Sequence, residues 1–343
     1  MATHGHADNQ TGRDRAKVIR KRLFVLCDGT WQDGVNKTRP LTNVATIARC
    51  IAPMDEDGCL QMIYYDGGVG NSTGFLSQKI DGATGRGISA KIRNAYSFLS
   101  HNFNFDPDHG RGWDEIVLIG FSRGAFAVQC LAAFISDTGG LLAKQHLYYL
   151  RGIFTLWAHR NMPAGQVKFA KERGLLEDAG LIHKVTITAC AVWDTVSSLG
   201  TWFQFRLRPL SFVGTTLPSC VRNAFHALAL DEKRGSFSPV LWEKKENPKE
   251  ETDSGARVSQ CWFLGSHSDV GGNGDAALGA LTLLWMIGKL HDHVGVVFDE
   301  SEIAKHLKHK FLEWDFQVDK LRKTFKETRT LSKRKHSGEQ PCR

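Results

Sequence analysis

The stretch Ile116-Val117-Leu118-Ile119-Gly120-Phe121-Ser122-Arg123-Gly124-Ala125-Phe126 constrains the fold of this chain more than any other. Four β-favouring residues in succession predict a buried strand, and an Ala-rich helical pattern follows to about residue 135. Between them stands Gly-x-Ser-x-Gly, which in this setting is a nucleophile elbow. The turn from strand to helix is so sharp that side chains at Gly120 and Gly124 would collide with neighbouring backbone. Ser122 is thereby raised at the carboxyl end of the strand. The amino terminus of the helix, with its free N–H groups and its dipole, is aimed at the same point and favours negative charge there. The five-residue pattern alone arises often by chance, and an ordinary glycine-bounded turn is the alternative; the flanking strand and helix favour the elbow.

A serine hydroxyl is a poor nucleophile at neutral pH, so the elbow needs a base and an acid to orient it. Asp194 stands at the end of a second predicted strand, 185–193. His267 follows a third, 258–264, within Gly265-Ser266-His267-Ser268-Asp269-Val270-Gly271-Gly272. The intervals each leave room for a strand and a helical crossover with an insertion, so all three residues can emerge along one edge of a parallel sheet. A loop or helix-cap carboxylate is the alternative for Asp194. Asp269 competes for the role of acid, although a residue so near in the loop more often shapes its own turn. His226 falls in a pattern that reads as helical and is taken as packing or pocket lining. Asp66, in Tyr65-Asp66-Gly67-Gly68, lines the pocket or caps a loop.

An oxyanion hole needs the N–H of the residue after the nucleophile, Arg123, and a second donor from a loop after another strand. The apolar run 23–27 opens into Asp28-Gly29-Thr30, and Gly29 or Thr30 is assigned as that donor, with Asp28 in support. An Asp-Gly-Thr after a strand also resembles the Asp-x-Asp-Gly-Thr of haloacid-dehalogenase-type phosphatases. Leu26 occupies the place of the attacking aspartate and has no nucleophilic atom, which excludes that chemistry.

Six segments in order carry a wider resemblance: Asp28-Gly29-Thr30, Thr42-Asn43-Val44, Gly120 to Ala125, Val192-Trp193-Asp194-Thr195-Val196, Ala227-Leu228-Ala229-Leu230-Asp231-Glu232, and Gly265 to Gly272. Together they resemble the α/β hydrolase family that includes the catalytic domain of type VI secretion phospholipase effectors and many uncharacterised bacterial and fungal members. The resemblance covers about residues 20–300. It implies an α/β-hydrolase-like fold, with a mostly parallel central sheet, helices on both faces and helical insertions forming a cap. Carried over by position, it makes Ser122 the nucleophile, Asp194 the acid and His267 the base, and it implies a lipid or phospholipid ester as substrate.

The 343 residues, 42% apolar and 23% charged, suffice for one large core. We expect a flexible basic tail over 1–20 and a catalytic domain over 21–300 with a cap-like insertion at 141–180. C-terminal helices over 301–330 and a disordered tail over 331–343 should follow. The aromatic loop 200–219, with Trp202, Phe203, Phe205 and Phe212 beside Arg206 and Arg208, packs against the sheet or forms an acyl-chain wall. Eight cysteines without a Cys-x-x-Cys read as small buried hydrophobes in a reducing compartment. No signal-peptide pattern opens the chain, and the greasiest helical stretch, 276–288, is too short for a bilayer. A cytoplasmic location is expected, with Lys333-Arg334-Lys335-His336 as a nuclear alternative.

The formal charge of +8 lies mostly at the ends, in residues 13–22 and 305–335. It reads as solvated tails with weak attraction to an anionic membrane surface, not as a nucleic-acid site. No phosphate loop is present, and no cofactor is expected. A metal site would require Asp28, Asp194 and His267 to converge without a serine role. The function expected is hydrolysis of carboxylic esters through an acyl-enzyme, on a small-molecule or lipid ester. A non-catalytic binding protein on the same scaffold, and a thioesterase or peptidase using the same three residues, are the alternatives.

Overall fold

In a computed structural model of the chain, the residues described are 19–29, 40–67, 85–106, 111–196, 210, 213, 215–232, 241–243 and 256–308. Six strands form the central sheet: β1 (Lys21–Cys27), β2 (Leu60–Asp66), β3 (Glu115–Phe121), β4 (Ile187–Trp193), β5 (Val221–Ala229) and β6 (Arg257–Phe263). Their spatial order is β6-β5-β4-β3-β1-β2, and every adjacent pair is parallel. Helices packed around it include α1 (Asn43–Cys50), α2 (Gly85–Asn102), α3 (Arg123–Thr138), α4 (Leu150–Ala158), α5 (Pro163–Asp178) and α6 (Ala276–Val294).

A parallel sheet needs cover on both faces, which is why β1 and β3 read as unbroken apolar runs. Leu23, Val25, Ile116 and Leu118 share one core cluster with residues of α2 and α3. Phe24, Leu26, Val117 and Ile119 share the other with Val44 and Ile47 of α1 and Leu283, Met286 and Leu290 of α6. The chain steps from β1 outward to β2, then returns past β1 to begin β3 on its other side. The carboxyl ends of β1 and β3 therefore flank a topological switch point, where open α/β sheets form their crevice. Asp28 and Ser122 are the first residues beyond those two ends.

Two expectations are corrected. The segment around His226 is not helical: it is β5, a strand of Ala, Leu, Phe and His buried on both faces, whose lack of alternation imitates a helix. The insertion at 141–180 does not stand apart as a cap. Ile153, Phe154 and Trp157 of α4 and Phe169 and Leu176 of α5 join the core of α2 and α3, so the pair thickens that layer. Tyr96 of α2 ties it down, its hydroxyl donating to the Gly140 carbonyl at 3.0 Å and accepting from the Leu142 N–H at 2.8 Å.

Of the aromatic loop, Leu210 is buried in the core and Val213 and Leu217 pack against it, while Trp202, Phe203, Phe205 and Phe212 lie outside the described residues. So do the N-terminal tail up to residue 18 and everything past 308; residues 300–308 are helical. Among the described residues five cysteines are buried, and burial pushes the Cys27 thiol up to about 12, which keeps it protonated and inert. Among the described residues no helix is long and apolar enough to cross a membrane.

Candidate active site

Ser122 adopts φ 58° and ψ −122°, a region that L residues enter only under constraint, at a cost of about 1–3 kcal/mol. The two glycines supply the constraint. A Cβ on Gly120 would lie 2.7 Å from the backbone of Ala125, and one on Gly124 would overlap the Cys27 carbonyl at the end of β1. The helix α3 can thus begin directly against the sheet. Ser122 is held by its own N–H, which donates to the Trp193 carbonyl of β4 at 3.1 Å, and Arg123 is the first residue of α3.

Asp194 is the other non-glycine residue with positive φ among the described residues, at 38°. Its backbone N–H donates to Ala227 O of β5 at 2.8 Å, and its Oδ1 accepts from Ala229 N at 2.9 Å. The other oxygen meets the histidine. His267 Nδ1 lies 2.6 Å from Asp194 Oδ2, with Asp194 wholly buried and His267 only 7% exposed. An ionised carboxylate only accepts, so the bond places the proton on Nδ1 and the lone pair of the neutral ring on Nε2. The imidazole leans on the ring of Phe121, the residue before Ser122, at 4.7 Å between centroids. Gly271 makes this approach feasible, because any Cβ there would collide with the Phe121 ring.

Two segments from the first third of the chain brace the site. Asp28 is buried and accepts from Thr42 Oγ1 at 2.6 Å, Tyr65 OH at 2.7 Å and Gly29 N at 2.7 Å; burial nonetheless raises its pKa. Thr42 also caps α1 by accepting from Ala45 N at 3.0 Å, so one side chain joins β1 to α1. Next to it, Asn43 donates through Nδ2 to Val270 O, Gly279 O and Thr282 Oγ1, and its N–H donates to Gly271 O at 2.8 Å. The Thr-Asn pair thereby ties the Ser122 side of the crevice to the histidine turn.

Residues 21–289 match a family model described as T6SS, phospholipase effector Tle1-like, catalytic domain. The chain belongs to this family. A yeast relative, the uncharacterised protein YEL023C of Saccharomyces cerevisiae, is 27% identical over 264 residues, which are 70% of this chain and 36% of that one. Among solved structures, an uncharacterised Pseudomonas aeruginosa protein aligns at TM-score 0.48 and 15% identity, over 87% of this chain and 50% of the other. A Tle1 effector bound to the VgrG spike of a type 6 secretion system aligns at TM-score 0.40 and 19% identity, over 79% and 55%. The chain thus spans about a third of the yeast relative and about half of each solved chain.

Within this Tle1-like domain the remaining candidates separate cleanly. Asp269 does not reach His267 as an acid partner: Oδ2 accepts from Ser266 N and Oγ at 2.7 and 2.8 Å and Oδ1 from Asp275 N at 2.7 Å, a capping box for the turn that carries the histidine. Burial would raise its pKa, but these bonds outweigh it and lower it. His226 is a fully buried β5 residue whose Nε2 accepts from Thr195 N at 3.2 Å beside the ring of Trp242. Burial drives its pKa down to about 3, so it is a neutral packing residue. Asp66, at the end of β2, is paired with Lys91. Gly29 does lie beside Ser122, but its N–H is taken by Asp28, which argues against it as an oxyanion donor; Thr30 falls outside the described residues.

Glu232 was quoted in the sequence motif after β5 without a role. It brings a carboxylate oxygen within 4.8 Å of ligand atoms on both Asp194 and His267. Asp28 is not in that cluster, so the metal set considered from sequence does not assemble; Glu232 takes its place. A cation there would have to displace the 2.6 Å bond between Asp194 and His267, and the three groups suit proton handling better.

Proposed function

We propose that this chain is a serine hydrolase acting on carboxylic esters of lipid or phospholipid type. The observation that carries the reading is the buried 2.6 Å bond between Asp194 and an imidazole resting on the residue that precedes Ser122. Ser122 Oγ attacks the ester carbonyl carbon while its proton passes to His267 Nε2. The tetrahedral intermediate collapses with cleavage of the bond to the alcohol oxygen, and the alcohol leaves with that proton. Water then attacks the acyl-enzyme and gives a proton to His267, and Ser122 departs carrying it, releasing the carboxylic acid. Asp194 holds the Nδ1 proton and stabilises the imidazolium. The Arg123 N–H, at the start of α3, donates to the oxyanion, a contribution of about 2.7–4 kcal/mol for one such donor. Family membership supports the lipid substrate, and the charge of +8 supports weak association with anionic membrane surfaces.

The test is labelling of the purified chain by a fluorophosphonate probe together with turnover of a panel of acyl esters and phospholipids. Wild type should be labelled and active, and Ser122→Ala should fold, resist the probe and lose at least about 10⁴-fold in rate. Wild-type turnover by that variant would overturn the assignment.

A further inference from the structure

We propose that Glu232 is a second positioning carboxylate for His267, so that the base works between two acids; this rests on the hydrolase reading above. The backbone delivers Glu232 to the site. Past the end of β5, Leu230 N donates to Phe263 O at 2.9 Å and Asp231 N to Gly265 O at 3.1 Å. Gly265 N returns a bond to Asp231 Oδ2 at 2.8 Å. The segment leaving β5 is therefore stitched to the segment that leads into His267, and the next residue along it is Glu232. Its side chain is half-buried, and its carboxylate lies within 4.8 Å of ligand atoms on Asp194 and His267.

Both oxygens of Asp194 are engaged, one with Ala229 N and the other with His267 Nδ1. Two carboxylates this close repel each other, and the repulsion is relieved when a cation forms between them. The imidazolium that appears when His267 takes the proton of Ser122 is that cation. Glu232 therefore favours the charged ring during both proton transfers and restrains the ring without touching the ester. Among the described residues, the other charged groups on elements around the ring are Asp28 after β1, Arg123 at the start of α3, Asp231 beside Glu232, Asp269 in the histidine's own turn and Asp275 at the start of α6. Asp28, Asp231 and Asp269 have backbone or hydroxyl partners of their own, and Arg123 opposes the proposed effect in sign.

The experiment uses the full chain and the ester substrate on which Ser122→Ala is silent, with kcat and KM measured from pH 5 to pH 9. Glu232→Gln should lower kcat roughly tenfold with KM unchanged. It should also move the acid limb of kcat/KM down by roughly half to one pH unit, the effect of removing one charge about 5 Å away at high effective dielectric. Glu232→Asp should restore part of both. In the Ser122→Ala background, NMR titration of the His267 ring should show the same downward shift in Glu232→Gln, independent of turnover. A Glu232→Gln enzyme with the wild-type pH profile and ring titration overturns the proposal even if its rate falls, because a purely structural role would lower the rate alone. Wild-type turnover by Ser122→Ala would overturn the hydrolase reading itself, and this one with it. Loss of wild-type activity to a chelator, restored by calcium or manganese ions in wild type but not in Glu232→Gln, would make the cluster a cation site and also overturn the proposal.

Discussion

Ser122 and Asp194 end neighbouring parallel strands, and both are held at positive φ without being glycine, yet different forces hold them. At Ser122 the strained turn is imposed within a few residues, by Gly120 and Gly124 and by a helix starting at once against β1. At Asp194 nothing local demands it. The turn exists because β5 lies alongside, accepting from Asp194 N, donating from Ala229 N, and accepting from Thr195 N through His226. The first turn is set mainly by its own glycines where they pack on β1, and the second by the bonds that β5 supplies.

That contrast can be broken. Asp194→Asn should have the largest effect, a loss of about 10⁴-fold in kcat, because an amide no longer fixes the tautomer of His267. Asp269→Asn, measured in parallel, should keep the rate within about tenfold and lower the melting temperature instead, since its carboxylate holds backbone and not the imidazole. A reversed pattern would move the acid to Asp269.

Acid should distinguish the two turns next. His226 titrates at about 3 in the folded chain and at 6.5 in the unfolded one, so the unfolded state takes up the proton first. The stability it holds above pH 6.5 is lost as pH falls from 6.5 toward 3, at about 1.4 kcal/mol per pH unit, or about 2 kcal/mol by pH 5. His226→Gln keeps an acceptor and removes the titration. Denaturant unfolding at pH 7 and pH 5 should show wild type losing about 2 kcal/mol more than the variant, and equal losses would remove His226 from the account.

The smallest effect concerns the strain itself. Ser122→Gly, though inactive, should be more stable than Ser122→Ala by about 1 kcal/mol in denaturant unfolding. Asp194→Gly should be less stable than wild type, because relief of strain there does not offset the loss of two bonds. A stabilised Asp194→Gly would mean that its turn is local after all.

How much could be read in advance follows the same division. β1, β3 and α3 announce themselves within two or three residues of their ends, since apolar runs and glycines act locally. β5 was hidden because burial on both faces erases alternation and its alanines favour helix. The layer made by α4 and α5 was mistaken for a cap, because an amphipathic helix pair does not state which surface its apolar face will meet. Asp194 was proposed from chain order and from its place at the end of an apolar strand, and neither sign reveals the bonds from β5 that hold its turn. Glu232 sat inside a quoted motif without a role, since its meaning comes from the pairing of the segments that follow β5 and β6. The Thr42-Asn43 pair was likewise visible as letters, and only the fold shows that it joins Asp28 to the histidine turn.

The Asn43 amide has a consequence during synthesis. Its partners reach to Thr282, 239 residues downstream, so on the ribosome the serine turn leaves the exit tunnel long before the histidine turn can be clasped. On the proposed reading, a nascent chain carries Ser122 before His267 has been made, and hydrolysis waits until the turn at 267 has emerged.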